Sequence, residues 1–353
     1  GKTTLLVERV MAILNAHPHM SMESLVAITF TEKAAEELKS KIRARLEREA
    51  KQNTSLRGAL RNLDRAYIST IHSFAASLLR QRSVEAGIDP GFSVLDEAEN
   101  QLLFSELWEQ WLILQMESGT EGILQALRFG ITPAQMQKIA LRLYTHRELL
   151  PLTFKNVPER PDPQDFIRSF TSTVMHLLDL AHKHCTDQND KGYAHIQNLA
   201  RQARKINALT GDGALTFILE RLNVQTKDGN QRKWNPKEKC DEQKQICRNL
   251  KEQLENFRKK TRCRTAVELF EALGGFVDYV QEQKRIRGQM DFHDLLVQAR
   301  NLLRDNLDVR QHFQEHFRYI LVDEFQDTDP LQVEIVFYLS EDGPGATRWD
   351  EVK

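Results

Sequence analysis

Two adjacent carboxylates, Asp323 and Glu324, follow the apolar run Tyr319-Ile320-Leu321-Val322 and open the stretch Asp323-Glu324-Phe325-Gln326-Asp327-Thr328-Asp329-Pro330. A short, branched apolar run reads as a strand buried in a parallel sheet, and open α/β sheets bind ligands beyond the carboxyl ends of their strands. Asp323 is placed there to hold a Mg²⁺ ion, and Glu324 to align and activate a water beside a nucleotide phosphate. At the other end of the chain, Gly1-Lys2-Thr3-Thr4 matches the close of the phosphate loop G-x-x-x-x-G-K-[ST], with Lys2 on the β/γ-phosphates and Thr3 on the metal. Each piece also has a plainer reading. Gly-Lys-Thr can start a helix that binds nothing, and Asp-Glu after a strand can be a turn or a helix cap. Their joint presence, each flanked as phosphate chemistry requires, points to a nucleoside-triphosphatase that uses Mg²⁺.

Such a site needs a sheet to bring its halves together. Leu5, Leu6, Val10, Ile13 and Leu14 fall at helical spacing over 3–15, as expected of the helix that follows a phosphate loop. Leu25 to Phe30 is a strand candidate. Thr31 then caps a helix with Ala35, Leu38, Ile42 and Leu46 on one face and mostly Lys and Arg on the other. Ala66 to Thr70 is a third strand, followed by a helix through Phe74, Leu78 and Leu79. The last strand is Tyr319–Val322, with a helix after Pro330 carrying Leu331, Val333, Ile335 and Val336. Strands alternating with helices predict an α/β fold with a parallel, doubly wound sheet.

The alternation stops between about residues 90 and 285. Glu97–Leu150 is helical by pattern, Val157–Asp165 is a proline-rich linker, and helical patterns resume from Phe166 to Gly288. Glycine-containing interruptions fall at Thr210-Gly211-Asp212-Gly213 and Asp228-Gly229-Asn230. The expected organisation is an α/β domain from 1–90 and 286–353, split by an all-α insertion over 91–285. Within the insertion, 232–264 is conspicuously basic, and Trp234 sits among Arg232, Lys233, Lys237 and Lys239. That pattern suits phosphate neutralisation with base stacking, and equally a solvated helix and loop surface.

Bulk composition narrows the field without deciding it. With 353 residues, 41% hydrophobic and 28% charged, the chain can bury two substantial cores. A formal net charge of −1 leaves nucleic-acid contact to local patches. Cys185, Cys240, Cys247 and Cys263 lack paired C-x-x-C spacing, which favours free thiols in a reducing cytoplasm over zinc or an iron–sulfur cluster. His182 and His184 beside Cys185 lie in a polar helical pattern and read as a solvated face. No stretch approaches the roughly 18 apolar residues that span a bilayer.

Two further junctions repeat one arrangement. Ala27-Ile28-Thr29-Phe30-Thr31-Glu32-Lys33 joins a strand to a helix with hydroxyls, an aromatic and a cation. Ile68-Ser69-Thr70-Ile71-His72-Ser73-Phe74 does so at the next strand end. A helix N-terminus with adjacent hydroxyls can hold a nucleic-acid phosphate, although each junction alone is also a plain helix cap.

In this order the motifs resemble those of the UvrD/Rep-type superfamily 1 DNA helicases: Gly1-Lys2-Thr3-Thr4, the Thr29–Leu38 block, Thr70-x-His72-Ser73-Phe74, and Asp323-Glu324-Phe325-Gln326-Asp327-Thr328. Asp291-Phe292-x-Asp294-Leu295-Leu296 resembles a further recurring block, where the chain re-enters the first motor domain. Phe92-Ser93-Val94-Leu95-Asp96-Glu97 and the large insertion are most similar to AddA/RecB-type helicase–nuclease subunits.

The resemblance implies a RecA-like ATPase core that translocates 3′→5′ on single-stranded DNA in repair or recombination. Gly1, Lys2, Thr3 and Thr4 would bind the nucleotide, and Thr3 and Asp323 would share Mg²⁺. Glu324 would be the catalytic base, and Gln326 would couple the γ-phosphate to domain movement. Thr29, Phe30, Lys33, Thr70, His72 and Phe74 would line the strand path. The partners it further implies are DNA and a second helicase–nuclease subunit. The family's phosphate loop begins upstream of Gly1, and its G-D-x-x-Q-S-I-Y-type motif, second RecA-like domain and ATP-site arginines follow beyond Lys353. The expectation is therefore a piece truncated at both ends, with little turnover or unwinding of its own. Two other readings compete. One is a non-hydrolysing module that binds DNA or a partner; the other is a P-loop enzyme of another kind, such as a transporter ATPase.

Overall fold

The computed structural model describes residues 2–342, 345–346 and 348–352, with the side chains of Lys2 and Trp349 set aside. Gly1, named above as a nucleotide-binding residue, lies outside the described residues. The chain divides into two compact units, one formed by 1–106 with 280–353 and the other by 107–279.

The first unit opens with α1 (Lys2–Ala16), β1 (Leu25–Thr29), α2 (Glu32–Glu49), α3 (Leu56–Arg61), β2 (Tyr67–Thr70), α4 (Ile71–Gln81) and β3 (Ser93–Val94). Helix α5 (Glu97–Ser118) carries the chain into the second unit. There follow α6 (Glu121–Arg128), α7 (Pro133–Thr145), α8 (Pro163–His184), α9 (Lys191–Asn207), α10 (Gly211–Thr216) and the 49-residue α11 (Glu238–Ile286), which returns to the first unit. That unit closes with β4 (Gln289–Met290), α12 (Phe292–Asp305), α13 (Leu307–His316), β5 (Tyr319–Val322) and α14 (Pro330–Ser340).

The main sheet is parallel, in the order β2-β1-β5. Alternation along its strands sorts side chains to two faces. Leu25, Ala27, Ile68 and Leu321 join the core under α1, α2 and α3, with Val10, Leu38 and Ile42. Val26, Ile28, Ile320 and Val322 join the opposite core with α4, α12, α13 and α14, through Phe74, Leu295, Leu302 and Phe313. Helices thus cover both faces, the doubly wound arrangement that alternating patterns predict. Strand β1 is buried throughout. Strand β5 is only half-buried, against the expectation of a fully buried strand, because among the described residues it ends the sheet with one bonded edge.

The second unit is helical, as its patterns predict. Its core runs through Phe170, Val174, Ile196, Leu199, Ile218 and Leu250. Asp190 organises one corner, accepting hydrogen bonds from the backbone N–H of Gly192 (2.9 Å) and Asn230 (2.9 Å) and from Trp234 Nε1 (3.1 Å). Trp234 is consequently 3% exposed. The base-stacking reading of the basic segment fails here, since the indole is part of the core and shows no face to solvent. The short strands β3 and β4 pair in parallel, Ser93 with Gln289 and Val94 with Met290, where the sequence patterns show only helix and loop.

Lys284 near the end of α11 is 2% exposed and bonds both Asp291 (2.9 Å) and Asp294. The two aspartates also form the capping box of α12, and Asn100 of α5 donates to Asp291 (3.2 Å). The start of α5, the end of α11 and the start of α12 are thereby tied at one buried point.

Candidate functional site

Parallel register sets the site. Thr29 pairs with Thr70 across β1 and β2, and Ile28 pairs with Val322 across β1 and β5. Asp323, one residue past Val322, therefore stands beside Thr29, and its N–H bonds the Ile28 carbonyl (2.9 Å). With strands about 4.8 Å apart, Thr70, Thr29 and Asp323 form one row along the carboxyl edge of the sheet. Both helix-starting junctions and the carboxylate pair share this rim.

Helix α1 points at the same rim. Its apolar face, with Val7, Val10, Met11 and Leu14, packs on Leu25, Ala27 and Leu321. His17, just past its C-terminus, lies 5.7 Å ring to ring from Tyr319, the first residue of β5. The helix accordingly runs antiparallel to the strands over about 22 Å, and its first turn, with Thr3 half-buried and Thr4 exposed, faces the carboxyl ends. A helix N-terminus directed there favours an anion. The backbone of Lys2 opens this turn.

Glu324 has φ +50° and ψ +43°, the left-handed region, which costs a non-glycine residue about 1 kcal/mol. This sharp reversal directly after β5 turns the chain into the 3₁₀ turn Phe325–Asp327. Asp323 Oδ1 accepts the Glu324 N–H (3.0 Å), while its other oxygen takes no bond from a described residue. Gln326 donates its side-chain amide to Glu324 Oε2 and to Asp327 Oδ2 (3.2 Å). The structure thus joins Glu324 and Gln326 directly. A hard carboxylate oxygen that no described residue bonds, at a strand end, fits Mg²⁺, which binds through one or two carboxylates plus substrate phosphates. Among the described residues no three His, Cys, Asp or Glu side chains gather into an all-protein metal cage, and Mg²⁺ needs none.

The strand-path candidates separate by burial. Phe30 is 65% exposed, and Lys33 is exposed in the first turn of α2. His72 is half-buried, and burial pulls its imidazole below the ordinary pKa, with Asp329 and Glu32 pulling the other way. Thr29 is buried, its hydroxyl donating to the Thr31 carbonyl (3.1 Å). Thr70 is buried as well and caps α4 by accepting the Ser73 N–H (3.3 Å). Phe74 is fully buried between Tyr67 and Phe317, so it supports the rim from below and cannot touch a strand lying on it.

Two residues with no role assigned from sequence also belong to the rim. Phe292, 46% exposed at the first position of α12, packs its ring 5.3 Å from His72. Glu32 accepts the hydroxyls of Thr70 (2.7 Å) and Ser73 (2.7 Å) on one oxygen. An apolar residue opening a helix, as in Asp291-Phe292, was the available signal for the first. Glu32 looks like any acidic residue in a helix's first turn.

Comparison with known proteins identifies the family. The UvrD/REP helicase N-terminal domain profile matches residues 1–345. Among curated proteins, the chain is similar to an ATP-dependent helicase/nuclease subunit of Syntrophomonas wolfei, 25% identical over 97% of the chain and 31% of the relative. The proteins of the same name from Alkaliphilus oremlandii and Carboxydothermus hydrogenoformans are 26% and 27% identical, over 95% and 100% of the chain and 31% and 33% of their own lengths. The chain thus spans about a third of the curated relatives it matches.

Proposed function

The chain belongs to the UvrD/REP helicase family, and from that premise we propose that it is the nucleotide-binding and strand-gripping half of an ATP-driven motor moving 3′→5′ on single-stranded DNA. The unit built on the parallel sheet would be the motor half, and the helical unit its insertion. The observation that carries this reading is the row Thr70, Thr29 and Asp323 along one sheet edge, to which the first turn of α1 also points.

Each group then has work suited to its chemistry. Phosphoryl transfer is governed by positioning and charge stabilisation. The first turn of α1, with Lys2, Thr3 and Thr4, would receive the β/γ-phosphates, together with Gly1. Thr3 and Asp323 would hold Mg²⁺, which when bound neutralises phosphate charge. Glu324 would orient the attacking water and accept its proton. Gln326, already bonded to Glu324, would sense the γ-phosphate through that bond. Phe30, Lys33, His72 and Phe292 would meet the strand, with Thr29 and Phe74 holding the rim beneath them. The relatives are themselves named as subunits of a helicase/nuclease, which supports a partner subunit for this chain too. The same reading implies the cytoplasm, where the DNA is.

Substituting Glu324→Gln in the intact polypeptide tests this. A motor loses about 100-fold or more of its DNA-stimulated ATP turnover while keeping its affinities for ATP and single-stranded DNA. Unchanged turnover would refute the assignment and leave a module that only binds.

A further inference from the structure

The hydroxyl protons at the β2–α4 junction are already committed. Thr70 Oγ1 donates to Glu32 Oε1 at 2.7 Å, with Ser73 Oγ a more distant, uncharged alternative at 3.2 Å. Ser73 Oγ donates to the same Glu32 oxygen at 2.7 Å. A hydroxyl has one proton, and a carboxylate is the stronger acceptor. Phosphate oxygens can only accept. In this arrangement neither hydroxyl can donate to a nucleic-acid phosphate, although both lie at the N-terminus of a helix on the rim. Glu32 occupies the place an anion would take, held by two donors and by the first turn of its own helix α2.

We propose that Glu32 is a resident competitor for the DNA phosphate at this junction, setting how tightly the rim grips a strand by holding the Thr70 and Ser73 hydroxyls until a phosphate displaces it. This inference rests on the reading of the rim as the strand path. Glu32 is exposed and its second oxygen takes no bond from a described residue, so the side chain can swing outward without breaking a hydrogen bond to any other described residue. Displacement frees two donors and removes a negative charge from beside the phosphate. The same carboxylate would discriminate against weakly held, non-productive strands, since a ligand must outcompete it at both hydroxyls.

The test is binding of a fluorescein-labelled oligo(dT) to the full chain by anisotropy, with each variant's fold checked by thermal melting. Glu32→Gln and Glu32→Ala are expected to tighten binding about fivefold, the scale of exchanging a charge-assisted bond for a neutral one. In a chain that also carries Thr70→Val and Ser73→Ala, the gain from Glu32→Gln is expected to shrink below about twofold, because the contested donors are gone. An undiminished gain there would mean simple charge repulsion and overturn the proposal, as would unchanged or weaker binding by Glu32→Gln. Phe30→Ala and Lys33→Ala serve as controls. If they leave binding unchanged, the rim is not the strand path and both readings fall. If they weaken it while Glu32→Gln does not tighten it, only the role of Glu32 falls.

Discussion

Phe74 meets Tyr67 edge to face, with ring centroids 5.8 Å apart and planes at 79°. That contact, and a second with Phe317, fills the space between α4 and the sheet. Two aromatics of neighbouring rim motifs thus have opposite fates, Phe30 outward and Phe74 inward. Phe30→Ala is expected to weaken single-stranded DNA binding by about 1–3 kcal/mol with little change in unfolding. Phe74→Ala is expected to destabilise the fold by about 3–5 kcal/mol. Oligonucleotide titration and urea unfolding of both variants separate the two.

The buried Lys284 is bonded to both Asp291 and Asp294. Lys284→Met would remove a buried cation from beside two carboxylates. A loss of about 3–5 kcal/mol is expected, read as a fall in the urea midpoint at unchanged slope. An unchanged midpoint would show that the cluster contributes nothing net.

His195 is buried on α9, and its Nε2 accepts the Gln225 N–H (3.0 Å). Burial lowers its pKa from the ordinary 6.5, opposed by Asp228. The unfolded chain therefore takes up a proton before the folded one as pH falls through 6.5. Stability should drop in that window and recover as pH rises back through it. His195→Gln should flatten the dependence of melting temperature between about pH 7 and 5. His72, lowered chiefly by burial, adds in the same direction.

The thiols should react in order of exposure. Cys263 is exposed, Cys185 is partly covered, and Cys240 and Cys247 are buried. Burial pushes Cys247 up to about 11, which leaves almost no thiolate at neutral pH. Iodoacetamide followed by peptide mapping should modify Cys263 first, and Cys247 only after unfolding.

The main sheet was legible because its signals are local. Thr31 caps α2 as expected, accepting the Ala34 N–H (3.1 Å), and Ala35, Leu38, Ile42 and Leu46 are its buried residues. Strand β5 has the bounds its apolar run suggests. What stayed hidden depends on residues far apart in sequence. Two-residue strands such as β3 have no periodicity to read. Trp234 among lysines looks like a stacking platform until Asp190, 44 positions away, draws its indole inward. Glu32 acquires meaning only from Thr70, 38 positions on. Phe74 is the opposite case, since Leu78 one turn on shares its buried face, and the spacing that puts it in the helix also puts it in the core.

The left-handed backbone at Glu324 has an implication for how this protein can be improved. A glycine there would relieve the torsional penalty and make the polypeptide slightly sturdier, by about 1 kcal/mol. It would also delete the side chain proposed above to orient the attacking water. On that proposal robustness and turnover pull against each other at position 324, so screening variants for heat resistance alone would enrich for ones that no longer hydrolyse nucleotide.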